Sequence, residues 1–166
     1  MKNFLIILAL IIGSPVVHAQ QNTITTFILV RHAEKLSDGT KNPDLKPEGI
    51  ERANRLAEIL KEVKVDAVYS TNFKRTQNTV WPLAKAKGLE VKSYEPLKSE
   101  EIEQMLKNHN GGTILVSGHS NTTPWVANLL TGTEKYKDFD DSDYGNILIV
   151  TVVEKGKLAQ VTCIRY

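Results

Sequence analysis

Arg31-His32 and Gly118-His119 each stand where an apolar, strand-like run stops: Thr26-Phe-Ile-Leu-Val leads into the first pair and Thr113-Ile-Leu-Val-Ser into the second. In open α/β sheets ligands bind outside the carboxyl ends of the strands, so two such runs bring His32 and His119 to one edge. An arginine beside a histidine sets a bidentate cation for phosphate or carboxylate next to an imidazole able to act as nucleophile. As an isolated dipeptide it reads first as a solvated strand end; three further features point to chemistry. Arg75 follows another strand at a helix start, where backbone N–H groups and the dipole favour anions. Gly118 permits close backbone approach, and Ser120, Asn121 and Thr122 add hydrogen-bonding groups beside His119. Two arginines and two histidines gathered this way form a site that holds a phosphoryl group by its oxygens. The arginines are expected to lower the pKa of His32 and keep it neutral, while a bound phosphate favours a cationic, donating His119.

These residues need elements to hold them. Thr26 to Val30 is continuously apolar, as in a parallel strand covered on both faces. Lys35 to Lys46 reads as a polar loop. Pro47 then opens a helix whose apolar stripe is Ile50, Ala53, Leu56, Ala57, Leu60 and Val63. Val65 to Tyr69 is a second strand, and Ser70-Thr-Asn72 caps a helix from Phe73 to Lys87 that Gly88 stops. Leu89 to Tyr94 is a third strand, Glu100 to Lys107 a short helix, Thr113 to Val116 a fourth strand, and Pro124 to Leu130 a helix. Asn146 to Val153 and Leu158 to Arg165 form a closing hairpin. The alternation predicts an α/β domain: a mostly parallel central sheet with helices on both faces and an antiparallel C-terminal edge hairpin.

The 166 residues are 41% hydrophobic and 24% charged, which fits one folded domain. Residues 1–19 are set apart from it. Lys2, the apolar run Phe4 to Ile12, and Val17-His18-Ala19 read as a secretory signal peptide cleaved after Ala19, too short in its apolar part to span a bilayer. The expectation is therefore an exported protein, periplasmic or secreted, with residues 20–166 as a single domain and no stable membrane insertion after cleavage. The near-neutral balance of 21 basic and 19 acidic residues excludes bulk electrostatic binding of nucleic acid. Cys163, the one cysteine, allows no intrachain disulfide and reads as a small core residue.

The order of motifs resembles the histidine phosphatase superfamily, in its phosphoglycerate-mutase-like branch, as a short exported bacterial-type member. The resemblance rests on Leu29-Val30-Arg31-His32-Ala33-Glu34-Lys35, on Leu45-Lys46-Pro47-Glu48-Gly49-Ile50-Glu51-Arg52-Ala53, on Tyr69-Ser70-Thr71-Asn72-Phe73-Lys74-Arg75-Thr76-Gln77-Asn78-Thr79 and on Val116-Ser117-Gly118-His119-Ser120-Asn121-Thr122. It implies that His32 becomes transiently phosphorylated while Arg31, Arg75 and His119 hold the phosphoryl oxygens. It further implies a metal-independent phosphomonoesterase, histidine acid phosphatase-like and without cofactor, acting on a small phosphorylated substrate.

A departing alkoxide needs a proton, and the family's Leu-x-Glu slot for the donor holds Ser99 here. Glu95, directly after the third strand, is the first candidate and Glu100 the second; a good leaving group needs neither. Asn121, Glu34 and Ser120 are candidate substrate contacts, with orientation of the active loop as the alternative role of Glu34 and helix capping that of Asn121. Asp138, Asp140, Asp141 and Asp143 form an acidic loop that reads first as solvated, with Asp141 or Asp143 able to repel or orient substrates as the alternative; His109 reads as solvent-exposed in a glycine-rich turn. Asn121-Thr-Thr123 matches a glycosylation sequon but falls on the phosphate site. Competing readings are a phosphomutase, a noncatalytic binder of phosphate ligands, and a metal hydrolase built from His32, Glu34 and His119. Oligomeric state is not legible.

Overall fold

The structure, a computed structural model, describes residues 23–166, so the segment 1–19, read from the sequence as a signal peptide, lies outside the described residues. Strand β1 (Thr25–Arg31) is followed by α1 (Pro47–Ile59), β2 (Ala67–Ser70), α2 (Lys74–Ala86), β3 (Val91–Ser93) and α3 (Ser99–Asn108). Then come β4 (Thr113–Gly118), α4 (Thr122–Thr131), β5 (Asn146–Glu154) and β6 (Leu158–Arg165). The six strands make one sheet in the order β3-β2-β4-β1-β5-β6. The first four run parallel and the β5-β6 hairpin antiparallel, as the alternating pattern requires. Among the described residues no helix is long and apolar enough to cross a membrane.

The apolar run of β1 is buried on both sides because the sheet carries a separate core on each face. Phe27 and Leu29 pack with Ile102 and Met105 of α3 and Val126 and Leu130 of α4. Ile28 and Val30, pointing the other way, pack with Leu56 of α1 and Val80 and Leu83 of α2. Period-two alternation within one strand thus feeds two helical layers.

Several departures of the structure from the sequence pattern come from contacts between segments remote along the chain. Helix α1 ends at Ile59 rather than Val63, since Leu60 has already left helical geometry while staying buried. Ile50, assigned to the apolar stripe, is 52% exposed. Gly49 takes the buried place instead, because a Cβ there would come 2.3 Å from the Glu34 carbonyl oxygen: only glycine lets α1 lie against the loop after β1. Helix α2 is not capped by Ser70, Thr71 or Asn72 side chains. Its first turn is closed from a distant loop, the Asn42 Oδ1 accepting from the Lys74 N–H at 2.9 Å, while Ser70 and Thr71 spend their hydroxyls elsewhere. Cys163 is not a core residue: it is exposed on β6, an edge strand of the sheet. His109 is half-buried rather than solvent-exposed, its Nε2 lying 3.0 Å from the Tyr69 hydroxyl.

Gly49→Ala is expected to lower the unfolding free energy by about 1–3 kcal/mol, the usual cost of forcing bulk into a closed contact. Urea denaturation measures it; wild-type stability in the variant would show that α1 does not depend on this approach.

Candidate active site

The parallel register pairs Arg31 with Gly118, and the His32 N–H donates to the Gly118 carbonyl at 2.9 Å. One residue beyond each strand, the two imidazoles therefore stand side by side, ring centroids 5.5 Å apart and planes inclined by 68°. The neighbouring strand β2 ends level with β4, Ser70 beside Ser117, and the chain turns through Thr71 into α2 to deliver Arg75. Gly118 is required here, since a Cβ would come 2.6 Å from Thr122 Oγ1, which accepts from the His119 N–H.

Proton positions follow from the partners. His32 is buried, and its Nδ1 lies 2.8 Å from the Ala33 carbonyl, an acceptor only, so Nδ1 carries the proton and Nε2 presents its lone pair. Burial, more than the charges of His119, Arg31 and Arg75, pushes the His32 pKa down to about 3, against the pull of the Ala33 hydrogen bond. The neutral imidazole read from the sequence is present, with desolvation rather than the arginines as its main cause. For His119, Nε2 lies 3.0 Å from Thr71 Oγ1. Thr76 gives its hydroxyl proton to a backbone carbonyl and Thr71 gives its own to Thr76, so Thr71 Oγ1 accepts from the His119 Nε2–H. Burial first, then Arg75 and Arg31, lowers the His119 pKa to about 4.

The two cations are braced without being neutralised. Arg31, 3% exposed, donates from Nη1 to the carbonyls of Asp140 (2.7 Å) and Asp143 (3.0 Å), and the Tyr144 ring lies 4.2 Å from its Cζ. The Asp141 carboxylate reaches only to 3.9 Å of Nη2 and is otherwise in solvent. Arg75 stacks on Phe73 at 4.4 Å, and burial lowers its pKa. The Nε–H groups of both arginines are buried with no partner among the described residues. Buried donors without acceptors are costly, and an oxyanion is the ligand that satisfies a pair of guanidinium edges.

The remaining candidates are placed otherwise. Glu34 does not face a substrate: Arg52 takes its carboxylate from both Nε (3.0 and 3.1 Å) and Nη2 (2.7 Å), holding its pKa below the usual range, and ties it through Nη1 to the Tyr166 carbonyl. This is the orienting role, fastening the loop after His32 to α1. Glu95 is exposed and paired with Lys98 on its own turn, and Glu100 is exposed in the first turn of α3; no hydrogen bond or ion pair joins either to Arg31, His32, Arg75 or His119. Asn121 is exposed at the start of α4 with no side-chain cap. Ser120 holds the acidic loop through its carbonyl, which accepts from the Phe139 N–H. Among the described residues no three His, Cys, Asp or Glu side chains are grouped as metal ligands, and Glu34 is committed to Arg52, so the His32, Glu34 and His119 metal set is not assembled.

Tyr144, Phe73 and Thr71 are the residues that sequence reasoning missed. Their only signal is position, an aromatic or hydroxyl residue just before or after a strand at the charged edge.

Residues 27–100 match the family model for the histidine phosphatase superfamily (branch 1). Phosphoserine phosphatase 1 of Hydrogenobacter thermophilus is 41% identical over 70 residues, 39% of this chain; the match spans 33% of that protein's length. Among solved structures, a mycobacterial glucosyl-3-phosphoglycerate phosphatase superposes with a TM-score of 0.71 at 10% identity, covering 86% of this chain and 99% of that one. Phosphoglycerate mutase from Bacillus anthracis superposes at 0.66 with 12% identity, covering 86% and 93%. Over residues 27–100 the sequence is thus similar to the histidine phosphatase superfamily, and the described residues share a phosphoglycerate-mutase-like fold.

Both folded imidazoles lie below the unfolded value of 6.5, so the unfolded chain binds more protons and stability falls as pH drops through that value. In the ligand-free protein, the ring resonances of His32 and His119 are expected to stay flat in NMR titration from about pH 8 to 5; a midpoint near 6.5 would contradict their burial. Tyr144→Leu should lower kcat/KM about tenfold by loosening Arg31 and cost little more in an Arg31→Lys background, with Tyr144→Phe retaining activity. Equal losses in both backgrounds would mean that Tyr144 does not act through Arg31.

Proposed function

We propose that this protein is an exported phosphomonoester hydrolase that works through a phosphohistidine on His32. The observation that carries the reading is the pair of buried, unpartnered guanidinium Nε–H groups flanking two neutral imidazoles. In the first step the His32 Nε2 lone pair attacks phosphorus in line and the alcohol departs; in the second, water displaces phosphate from the imidazole. Arg31 and Arg75 stabilise the charge on the equatorial oxygens, the positioning and electrostatic work phosphoryl transfer demands. His119 becomes a donor to the same oxygens when a bound dianion raises its proton affinity. The nucleophile and the groups that bind the phosphoryl oxygens are the chain's own side chains, so the reaction is expected to run without a metal or cofactor. The matched phosphatases support hydrolysis as the reaction class. The signal-like residues 1–19 support export to the periplasm or medium, with a small phosphorylated substrate met there.

The exposed, Lys98-paired Glu95 favours a second reading, a binder of phosphate ligands without turnover, since the donor suggested by the resemblance is not at hand. Incubating the purified protein with a labelled phosphate ester separates the two. The expected result is acid-labile label on His32 and release of free phosphate, undiminished by chelators, with His32→Ala lowering turnover by at least about 10³-fold. Binding without label or release would establish the binder, and clean isomerisation of a phosphosugar acid without phosphate release would establish a mutase.

A further inference from the structure

Two aromatic rings wall the phosphoryl site. Phe73 stacks on Arg75 and stands edge-on to His119 at 5.2 Å; Tyr144 stacks on Arg31 and lies 6.0 Å from His32. Both rings are half-buried, so part of each remains open to contact.

The carboxylates around that mouth are committed or turned outward. Glu34 is held by Arg52, Asp143 by Asn146 and Arg165, and Asp44 by Asn78. Glu95 is exposed with Lys98, and Glu100, Asp140 and Asp141 are exposed to solvent. Residues 1–22 contain no aspartate or glutamate. A positioned acid contributes about 10²–10⁴-fold to departure of a poor leaving group, and an alkoxide cannot leave well without it. A phenolate, whose conjugate acid has a pKa of about 10, departs as the anion, and guanidinium groups nearby stabilise it.

Resting on the phosphohydrolase reading, we propose that the site takes phosphoryl groups borne on planar, acidic leaving groups, aryl phosphates in particular, in preference to alkyl phosphates. The aryl ring lies against Phe73 or Tyr144 as the phosphoryl group enters between the arginines. The His32 Nε2 pair forms the N–P bond while the P–O bond to the ring breaks; the aryl oxide leaves with that electron pair and is protonated by solvent. Water then forms an O–P bond as the N–P bond breaks and gives its proton to solvent, releasing orthophosphate and neutral His32.

The test compares kcat/KM of the purified protein on phenyl, 4-nitrophenyl, benzyl and glycerol phosphates. Benzyl phosphate keeps the ring but loses the acidic leaving group, so phenyl phosphate should exceed it by about 100-fold or more, with 4-nitrophenyl phosphate faster still. Acetyl phosphate, acidic but without a ring, should show a higher KM than 4-nitrophenyl phosphate. Benzyl or glycerol phosphate turned over within about threefold of phenyl phosphate would overturn the proposal by revealing a working proton donor. An equal KM for acetyl phosphate would remove the aromatic part. Labelling of His32 by 4-nitrophenyl phosphate keeps the outcomes apart: no label and no phosphate release sinks the hydrolase reading itself, whereas label without aryl preference sinks only this inference.

Discussion

The parallel pairing of β1 with β4, in the register that sets Arg31 beside Gly118, is the constraint on which the site depends. Parallel strands end at the same edge, so residues 87 positions apart in the chain, His32 and His119, become neighbours without either loop being long. A slip of one residue in either strand would turn its histidine to the opposite face and exchange the two cores that Phe27 and Ile28 feed. The same edge receives β2 and its continuation into α2, which brings Arg75. Because β5 runs antiparallel to β1, the segment entering it also starts there, and so the acidic loop and Tyr144 meet Arg31.

Gathering four basic side chains in partial burial raises an electrostatic difficulty that the fold handles by unequal means. The imidazoles give up their charge, since desolvation lowers both well below the ordinary range. The guanidinium groups keep theirs and are surrounded by backbone carbonyls and aromatic faces rather than by close carboxylates. A tight carboxylate partner would neutralise the pocket and compete with an incoming anion; carbonyl dipoles and ring faces do so far less. Beneath them lies a layer of buried hydroxyls: Thr76, Thr79 and Thr123 hand protons to main-chain oxygens, and Thr71 hands its own to Thr76, which sets the tautomer of His119. A tight bidentate ion pair, Glu34 with Arg52, stands a step away, anchoring the loop after His32 to α1 and to the Tyr166 carbonyl.

Much of this was legible in the chain. Continuous apolar runs, proline at the start of α1 and glycine after α2 give the element order, because they report local backbone preference and which faces are covered. Arg31, His32, Arg75 and His119 could be picked out because each sits immediately past such a run. Misjudged residues share another property: their environment is made by distant parts of the chain. Asn42 caps α2 from 32 residues away, Gly49 is buried because Glu34 approaches it, Cys163 is exposed because β6 is an edge, and His109 is covered by Tyr69.

The sequence by itself determined the architecture and the cationic chemistry, since charge, strand pattern and helix punctuation are local properties of consecutive residues. The tertiary structure alone decided which carboxylate is spoken for, which nitrogen of each imidazole carries the proton, and that burial outweighs the arginines in keeping His32 neutral. It also decided that Phe73 and Tyr144 belong to the site. Solvation and hydrogen-bond partnership depend on what packs around a group, and those neighbours come from strands and loops remote along the chain.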